Sequence, residues 1–336
     1  MKILLRWADY IVEGISVTKQ QNFWGHPLAL FTALAWGTTF ISTKVLLVSF
    51  SPVEILFIRF VTAFFALWAV CPHRLKVLPR GREKYFVAAG LCGTTLYYLL
   101  ENIALTYTTA SNVGVLLSVI PFFTAILSRV ATGEKLRLPF FAGCLVAMAG
   151  IVLIEMNGRQ LQLNPTGDLL AVLAALVWAM YSILVKKISA YGYNTVQTTR
   201  RTFFYGILFM LPILLFSGVR VDSRLLARFA SPVNFANLAF LGLVASAACF
   251  VTWNLAVKLL GPVRTSVYTY LGPVITISAS ALILHEKITP LIVAGTVLVL
   301  TGLVISQGLL PKNKREGKGI ITEEENSESA MAAPGK

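Results

Sequence analysis

Uncharged apolar stretches of about 20 residues recur along this 336-residue chain. Each is long enough to cross the roughly 30 Å of bilayer hydrocarbon as a helix. In that medium every backbone polar group must be satisfied internally, so only helices and closed barrels are available. The strands of a barrel would alternate polar and apolar residues, and these stretches do not. A soluble domain would carry about 25% charged residues, against 13% here. The chain is therefore expected to be an all-α integral membrane protein. Its 29 Lys plus Arg exceed its 15 Asp plus Glu. In a membrane protein that excess places basic loops against anionic lipid, and nucleic acid is not expected as a partner.

Turn signals and charges divide the apolar sequence into ten expected helices, at 27–49, 52–71, 84–106, 109–131, 138–156, 166–189, 194–217, 234–257, 261–283 and 289–310. Residues 1–26 form a cytoplasmic N-terminal segment that could lie as a helix in the interface, because Ile3, Leu4, Trp7, Ile11 and Ile15 share one face. Residues 311–336 are rich in Lys, Glu, Ser and Gly and are expected to be a disordered cytoplasmic tail. On alternate sides of the membrane, Arg159, Arg220, Arg224, Arg228 and Lys287 fall on one side. Most of the other basic residues, among them Arg74, Lys76, Arg80, Arg82, Lys84, Lys186 and Lys187, fall on the other. The basic side is expected to be cytoplasmic, with both termini there. Cys71, Cys92, Cys144 and Cys249 form no CxxC pair and read as free packing thiols.

The two halves resemble each other. Ala33, Trp36, Ile41, Lys44 and Arg59 recur as Ala175, Trp178, Ile183, Lys186 and Arg201. Asn102, Ala104, Pro121, Thr124, Gly143 and Gly150 recur as Asn254, Ala256, Pro273, Thr276, Gly295 and Gly302. The repeats span 27–156 and 166–310. With five crossings each, the second must sit inverted relative to the first, the arrangement found in secondary transporters. Two equivalent units packed in opposite senses can exchange roles, which gives an inward-open form an outward-open counterpart of similar energy.

These residues resemble the drug/metabolite transporter superfamily, and within it the EamA-type ten-helix permeases. The likeness rests on ALAWGTTFISTK with its partner ALVWAMYSILVKK, on Arg59, and on NIALTYTTASNVGVLLSVIPFFTAILSRVATGEKL with NLAVKLLGPVRTSVYTYLGPVITISASALILHEKI. It covers about residues 28–310. The second copy has His285 before Glu286 where members of the family often have Gly. The resemblance implies export or exchange of amino acids and other small metabolites through a central cavity between the halves.

Polar residues inside spans are costly and normally face protein or a wet cavity. Thr94, Tyr97, Tyr98 and Glu101 form one stripe on the third span, bordered by Asn102. Ser118 on the fourth span and Thr269 and Tyr270 on the ninth lie on matching faces. Trp36 and Thr39 on the first answer Trp178 and Tyr181 on the sixth, and Trp253 and Asn254 on the eighth answer the third. One reading has these faces line a substrate cavity. The other has the hydroxyl groups bond back to their own helices and the small residues serve close packing. Glu101 lies deeper in a span than any other acid. It is suited to carry a proton or hold a substrate ammonium, or it forms a structural ion pair with Arg59 or Lys44. Arg59 and Arg201 cost about 2.5–3.5 kcal/mol each if left at mid-membrane, so they are expected to bond exposed carbonyls or lie near the surface, with anion recognition as the alternative. Pro121 and Pro273 interrupt helical bonding and are candidate gating hinges.

The expected function is a secondary transporter in the plasma membrane (the bacterial inner membrane), exporting small metabolites such as aromatic or apolar amino acids by alternating access. Its partners would be the substrate, the lipid bilayer and protons, and it would act as a monomer or homodimer without a cofactor. The alternatives are a nucleotide-sugar or lipid-linked-sugar translocator and a non-transporting scaffold. No HExxH, P-loop or GxSxG with partners is present, so an enzyme is not expected.

Overall fold

The computed structural model describes residues 19–107, 113, 116–133, 138–156, 164–217, 228–275, 278 and 289–306. No β-strand occurs among them. Helix α1 is Lys19–Leu46 and α2 is Pro52–Val70. Helix α3 runs Glu83–Gly90, passes through π turns at Leu91–Leu96 and finishes as Tyr97–Tyr107. Helix α4 is Ile120–Thr132, α5 is Leu138–Glu155, α6 is Pro165–Ser189 and α7 is Thr195–Phe216. Helix α8 repeats the form of α3, with Pro232–Ala239, π turns at Phe240–Ala248 and Cys249–Leu260. Helix α9 begins at Pro262–Ser266, tightens to 3₁₀ over Val267–Tyr270 and continues over 271–275, and α10 is Pro290–Ser306.

Local chemistry explains most boundaries. Ser51 caps α2 by accepting from the Glu54 amide, while the Glu54 carboxylate accepts from the Ser51 amide at 2.6 Å. This reciprocal pair satisfies two donors that the helix leaves open. Asn164 and Asn194 cap α6 and α7 by each accepting from two backbone amides of the first turn, and Gly133 ends α4 at a φ of 70°. Four stretches are long and apolar enough to cross a membrane: Pro52–Val70, Pro165–Ser189, Thr195–Phe216 and Pro232–Leu260. Ile120–Ala131, Leu138–Ile154 and Pro290–Ser306 are shorter apolar helices.

Two boundaries differ from the sequence expectation. Helix α1 is helical from Lys19, the first described residue of this stretch, with Pro27 inside it, so it extends N-terminal to the expected span at 27–49. Pro121 stands in the first turn of Ile120–Thr132, after helical residues 116–117 and a turn at Ser118–Val119, so the expected span at 109–131 is interrupted just before this proline. Residues 1–18, 134–137, 281–288 and 307–336 lie outside the described residues. The same holds for Ser111, Gly114, Thr276 and Ser280 and for the side chain of Lys44.

The main packed pairs are α1 with α8, α3 with α6, α2 with α7, α2 with α8, α3 with α7, α4 with α6, α4 with α9 and α5 with α10. The principal core is rich in aromatic rings and lies among α1, α2, α3, α6, α7 and α8. A second core joins α5 and α10 to α4 and α9. The α5–α10 contact is tight. A Cβ on Gly143 would stand 2.6 Å from the Gly302 carbonyl oxygen, and one on Gly150 would stand 2.6 Å from that of Gly295. The reverse tests give 2.5 Å from Gly302 to the Gly143 oxygen and 2.7 Å from Gly295 to that of Gly150. Only glycine lets the two backbones come so near.

Candidate functional site

Trp36, Tyr97, Tyr98, Trp178, Tyr181 and Trp253 come together in the principal core, carried by α1, α3, α6 and α8. Ring centroids lie 5.5 Å apart for Trp36 and Trp178, 5.1 Å for Trp36 and Trp253, and 4.8 Å for Tyr97 and Trp178. Edge-to-face and tilted contacts at these distances are the favoured aromatic geometry. Phe60, Phe203 and Phe250 complete the cluster. The sequence reading did not single these three out, since phenylalanine carries no signal within an apolar span.

The polar edges of these rings are only partly satisfied. Trp36 donates its indole N–H to the Ala245 carbonyl at 2.8 Å, inside the π turns of α8, where the altered bonding leaves carbonyl oxygens to other donors. Tyr181 donates to Asn254 Oδ1 at 2.8 Å, and Asn254 Nδ2 donates to Thr199 Oγ1 at 2.9 Å. This chain links α6, α8 and α7. Below Asn254 a closed cavity of about 20 Å³ is bounded by Tyr193, Thr195, Thr198 and Thr202; that is room for one water. The indole nitrogens of Trp178 and Trp253 are buried and have no hydrogen-bond partner among the described residues.

Two charged side chains adjoin the cluster. Arg59 on α2 is only 7% exposed, and its Nε donates to Ser246 Oγ on α8 at 2.8 Å. Its guanidinium lies 5.2 Å from the centre of the Tyr98 ring and 5.5 Å from that of Phe60. Glu101 on α3 is half-buried, one helical turn after Tyr97 and within the electrostatic field of Arg59. The two do not form the ion pair anticipated as one reading of Glu101. The ion pairs within 4.0 Å among the described residues are Arg201 with Glu83 at 2.7 Å and Arg228 with Glu54 at 3.2 Å. Arg59 also departs from expectation in bonding a hydroxyl deep in the fold rather than a carbonyl.

Other candidates are placed elsewhere. Thr39 and Thr269 bond back to the carbonyls of Trp36 and Ser266 at 2.6 and 2.7 Å, as the packing reading has it. Tyr270 is fully buried in the second core near Cys144 and Val299, away from the aromatic cluster. Ser118 is buried, Asn102 half-buried, and Pro273 follows the 3₁₀ segment of α9. Among the described residues no three His, Cys, Asp or Glu converge to hold a metal.

Each end of the bundle carries its own tie. At the Arg82 end, Arg200 donates to the carbonyls of Cys71 and His73, Tyr193 donates to that of Leu78 at 3.0 Å, and Arg201 and Tyr205 share Glu83. Arg82 stacks on Tyr191 at 4.4 Å and Lys187 on Tyr85 at 4.4 Å. At the other end Arg228 bridges Glu54 and the Ser49 carbonyl.

The chain matches the model of the EamA-like transporter family over residues 23–156 and again over 165–307. It is 30% identical over 295 residues to an uncharacterized transporter of Archaeoglobus fulgidus, covering 84% of this chain and 96% of that one. It is 27% identical to a probable terminal-alkyne amino-acid exporter of Streptantibioticus cattleyicolor (82% and 91% covered), and 28% identical to a probable amino-acid metabolite efflux pump of Escherichia coli (83% and 93% covered). A solved crystal structure shares the fold at a TM-score of 0.70 with 18% identity, covering 85% of this chain and 96% of that one. Apolar helices, an aromatic centre and a family match across both halves agree: the chain belongs to the EamA-like transporter family, within the drug/metabolite transporter superfamily.

Proposed function

We propose that this transporter exports amino acids or closely related metabolites by alternating access, through ten membrane crossings built as two inverted five-helix repeats. The observation that carries the reading is the meeting of α1 and α3 of one half with α6 and α8 of the other around a single aromatic cluster with Glu101 at its edge. A site shared equally between the halves is what alternating access requires. The names of the Streptantibioticus and Escherichia relatives support amino acids as the substrate class.

The helix packing supports the inverted duplication. Renumbering every helix by five turns α1–α8 into α6–α3 and α2–α8 into α7–α3, and both members of each exchange are packed pairs. Arg59 reaches from α2 to α8, and Arg201 reaches from α7 to α3. Both third helices carry π turns. The same renumbering turns the Gly143–Gly302 contact into Gly295–Gly150, and both contacts are present, the pattern of a two-fold interface. The basic Arg82 end is the cytoplasmic one, and both termini lie there.

The test is flux of labelled amino acids into liposomes holding the purified protein, with and without a pH gradient. Saturable flux of at least one amino acid is expected, and Glu101→Gln is expected to abolish its dependence on pH. A folded Glu101→Gln variant with unchanged pH dependence removes the proton from the mechanism. No saturable flux of any compound returns the chain to a scaffold.

A further inference from the structure

Arg59 and Glu101, a base and an acid, adjoin one aromatic cluster and form no ion pair within 4.0 Å. Among the described residues, the bond to Ser246 is the one hydrogen bond Arg59 makes, and no carboxylate lies within 4.0 Å of it. The terminal nitrogens of its fork are therefore unspent, in a side chain more than nine-tenths buried. Glu101 lies one helical turn after Tyr97 on α3 and makes no ion pair within 4.0 Å among the described residues. Two opposite charges in a medium of low dielectric attract strongly and would close into a pair unless held apart. The Arg59 side chain is held by Ser246 on α8 and by stacking on Tyr98 and Phe60. Glu101 stays on α3.

A ligand with one charge would satisfy one of these groups and leave the other buried and bare, which is expensive. A ligand carrying a carboxylate and an ammonium on one carbon satisfies both. The guanidinium fork suits the carboxylate, which it can take with two parallel bonds. The rings of Trp36, Tyr97, Trp178 and Trp253 lie beside the pair, and their faces suit an apolar or aromatic side chain. We propose that the substrate is bound as an α-amino acid zwitterion, its carboxylate on Arg59 and its ammonium on Glu101. This rests on the transport reading above and adds the recognition chemistry to it. It also predicts exclusion: amines and carboxylic acids that share the side chain but lack one charge are rejected by the unpaired residue, not by shape.

Labelled L-phenylalanine, 2-phenylethylamine and 3-phenylpropanoate separate the two charges on one ring. In liposomes with the wild-type protein, uptake of L-phenylalanine is expected to be inhibited at least tenfold less effectively by either singly charged analogue than by unlabelled L-phenylalanine. Arg59→Gln should close the gap to the amine alone, and Glu101→Gln the gap to the acid alone. Ser246→Ala, which keeps both charges and frees the guanidinium, should weaken the preference without abolishing it. Wild-type flux that treats amine, acid and zwitterion alike overturns the charge pair and leaves the transport reading standing. No flux of these three with saturable flux of another amino acid overturns the aromatic site, and no flux of any amino acid overturns both. If the Arg59 variant fails to fold, the wild-type comparison decides by itself.

Discussion

Arg200 and Arg201 are neighbours in the sequence and serve different elements. Arg200 reaches the carbonyls of Cys71 and His73, whereas Arg201 pairs with Glu83 at 2.7 Å and shares it with Tyr205. Only Arg201 was legible beforehand, as the repeat mate of Arg59. A carbonyl donates no residue-type signal, so the target of Arg200 depends on where the 71–79 segment runs. His26, at the basic end of α1 and just before the first expected span, offers a titratable contact: its Nδ1 lies 2.7 Å from the Tyr268 hydroxyl on α9. Burial, and then the charge of Arg264, hold its pKa below the ordinary 6.5. A base depressed in the folded state contributes fully above its unfolded value, and the contribution fades as pH falls through that value toward the folded one. The Tm advantage of the wild type over His26→Phe is therefore expected to be larger at pH 7.5 than at pH 5. An advantage independent of pH would show that this contact does not titrate.

At the scale of elements, apolar length and turn chemistry located the helices well. Ser51-Pro52, Asn164-Pro165 and Gly261-Pro262 each mark a helix start that the structure keeps. The π turns in α3 and α8 were not legible, because the added residue in such a turn belongs to no residue type. Nor was the tightening of α9 before Pro273. The glycines of α5 and α10 were legible as close packing, though their pairing was not. Their contact sets a firm expectation: Gly143→Leu forces a side chain into the backbone of α10 and should cost at least about 1–3 kcal/mol. Thermal unfolding in detergent checks it, with Gly133→Ala unsuitable as a control because of its left-handed backbone. Gly81→Ala, which meets nothing within 4 Å, is the better reference.

For the molecule as a whole, the sequence carried the duplication and the identities of the residues at the centre, including Trp36, Tyr97, Trp178 and Trp253. It could not show that these rings would pack against one another instead of bordering open space. That outcome depends on side-chain volume from six helices at once. Among the described residues, the Arg82 end is tied through several residues and the other end through Arg228. Loosening the Arg228 tie should open its end. In an otherwise cysteine-free protein, Ser49→Cys is expected to react several-fold faster with a membrane-impermeant thiol reagent when Arg228→Ala is also present. Equal rates would mean that the bridge to Glu54 and Ser49 holds nothing closed.

The crossing of α5 and α10 also governs how the chain can drift over generations. Gly143 touches Gly302 and Gly150 touches Gly295, so each position answers to the mate of its neighbour and not to its own copy. A bulkier residue at 143 meets the backbone at 302 and 306, which glycine at 302 already leaves as open as any residue can. Among descendants of this gene, all four positions should therefore stay glycine together, and a change at any one of them should come with a displaced crossing of the two helices.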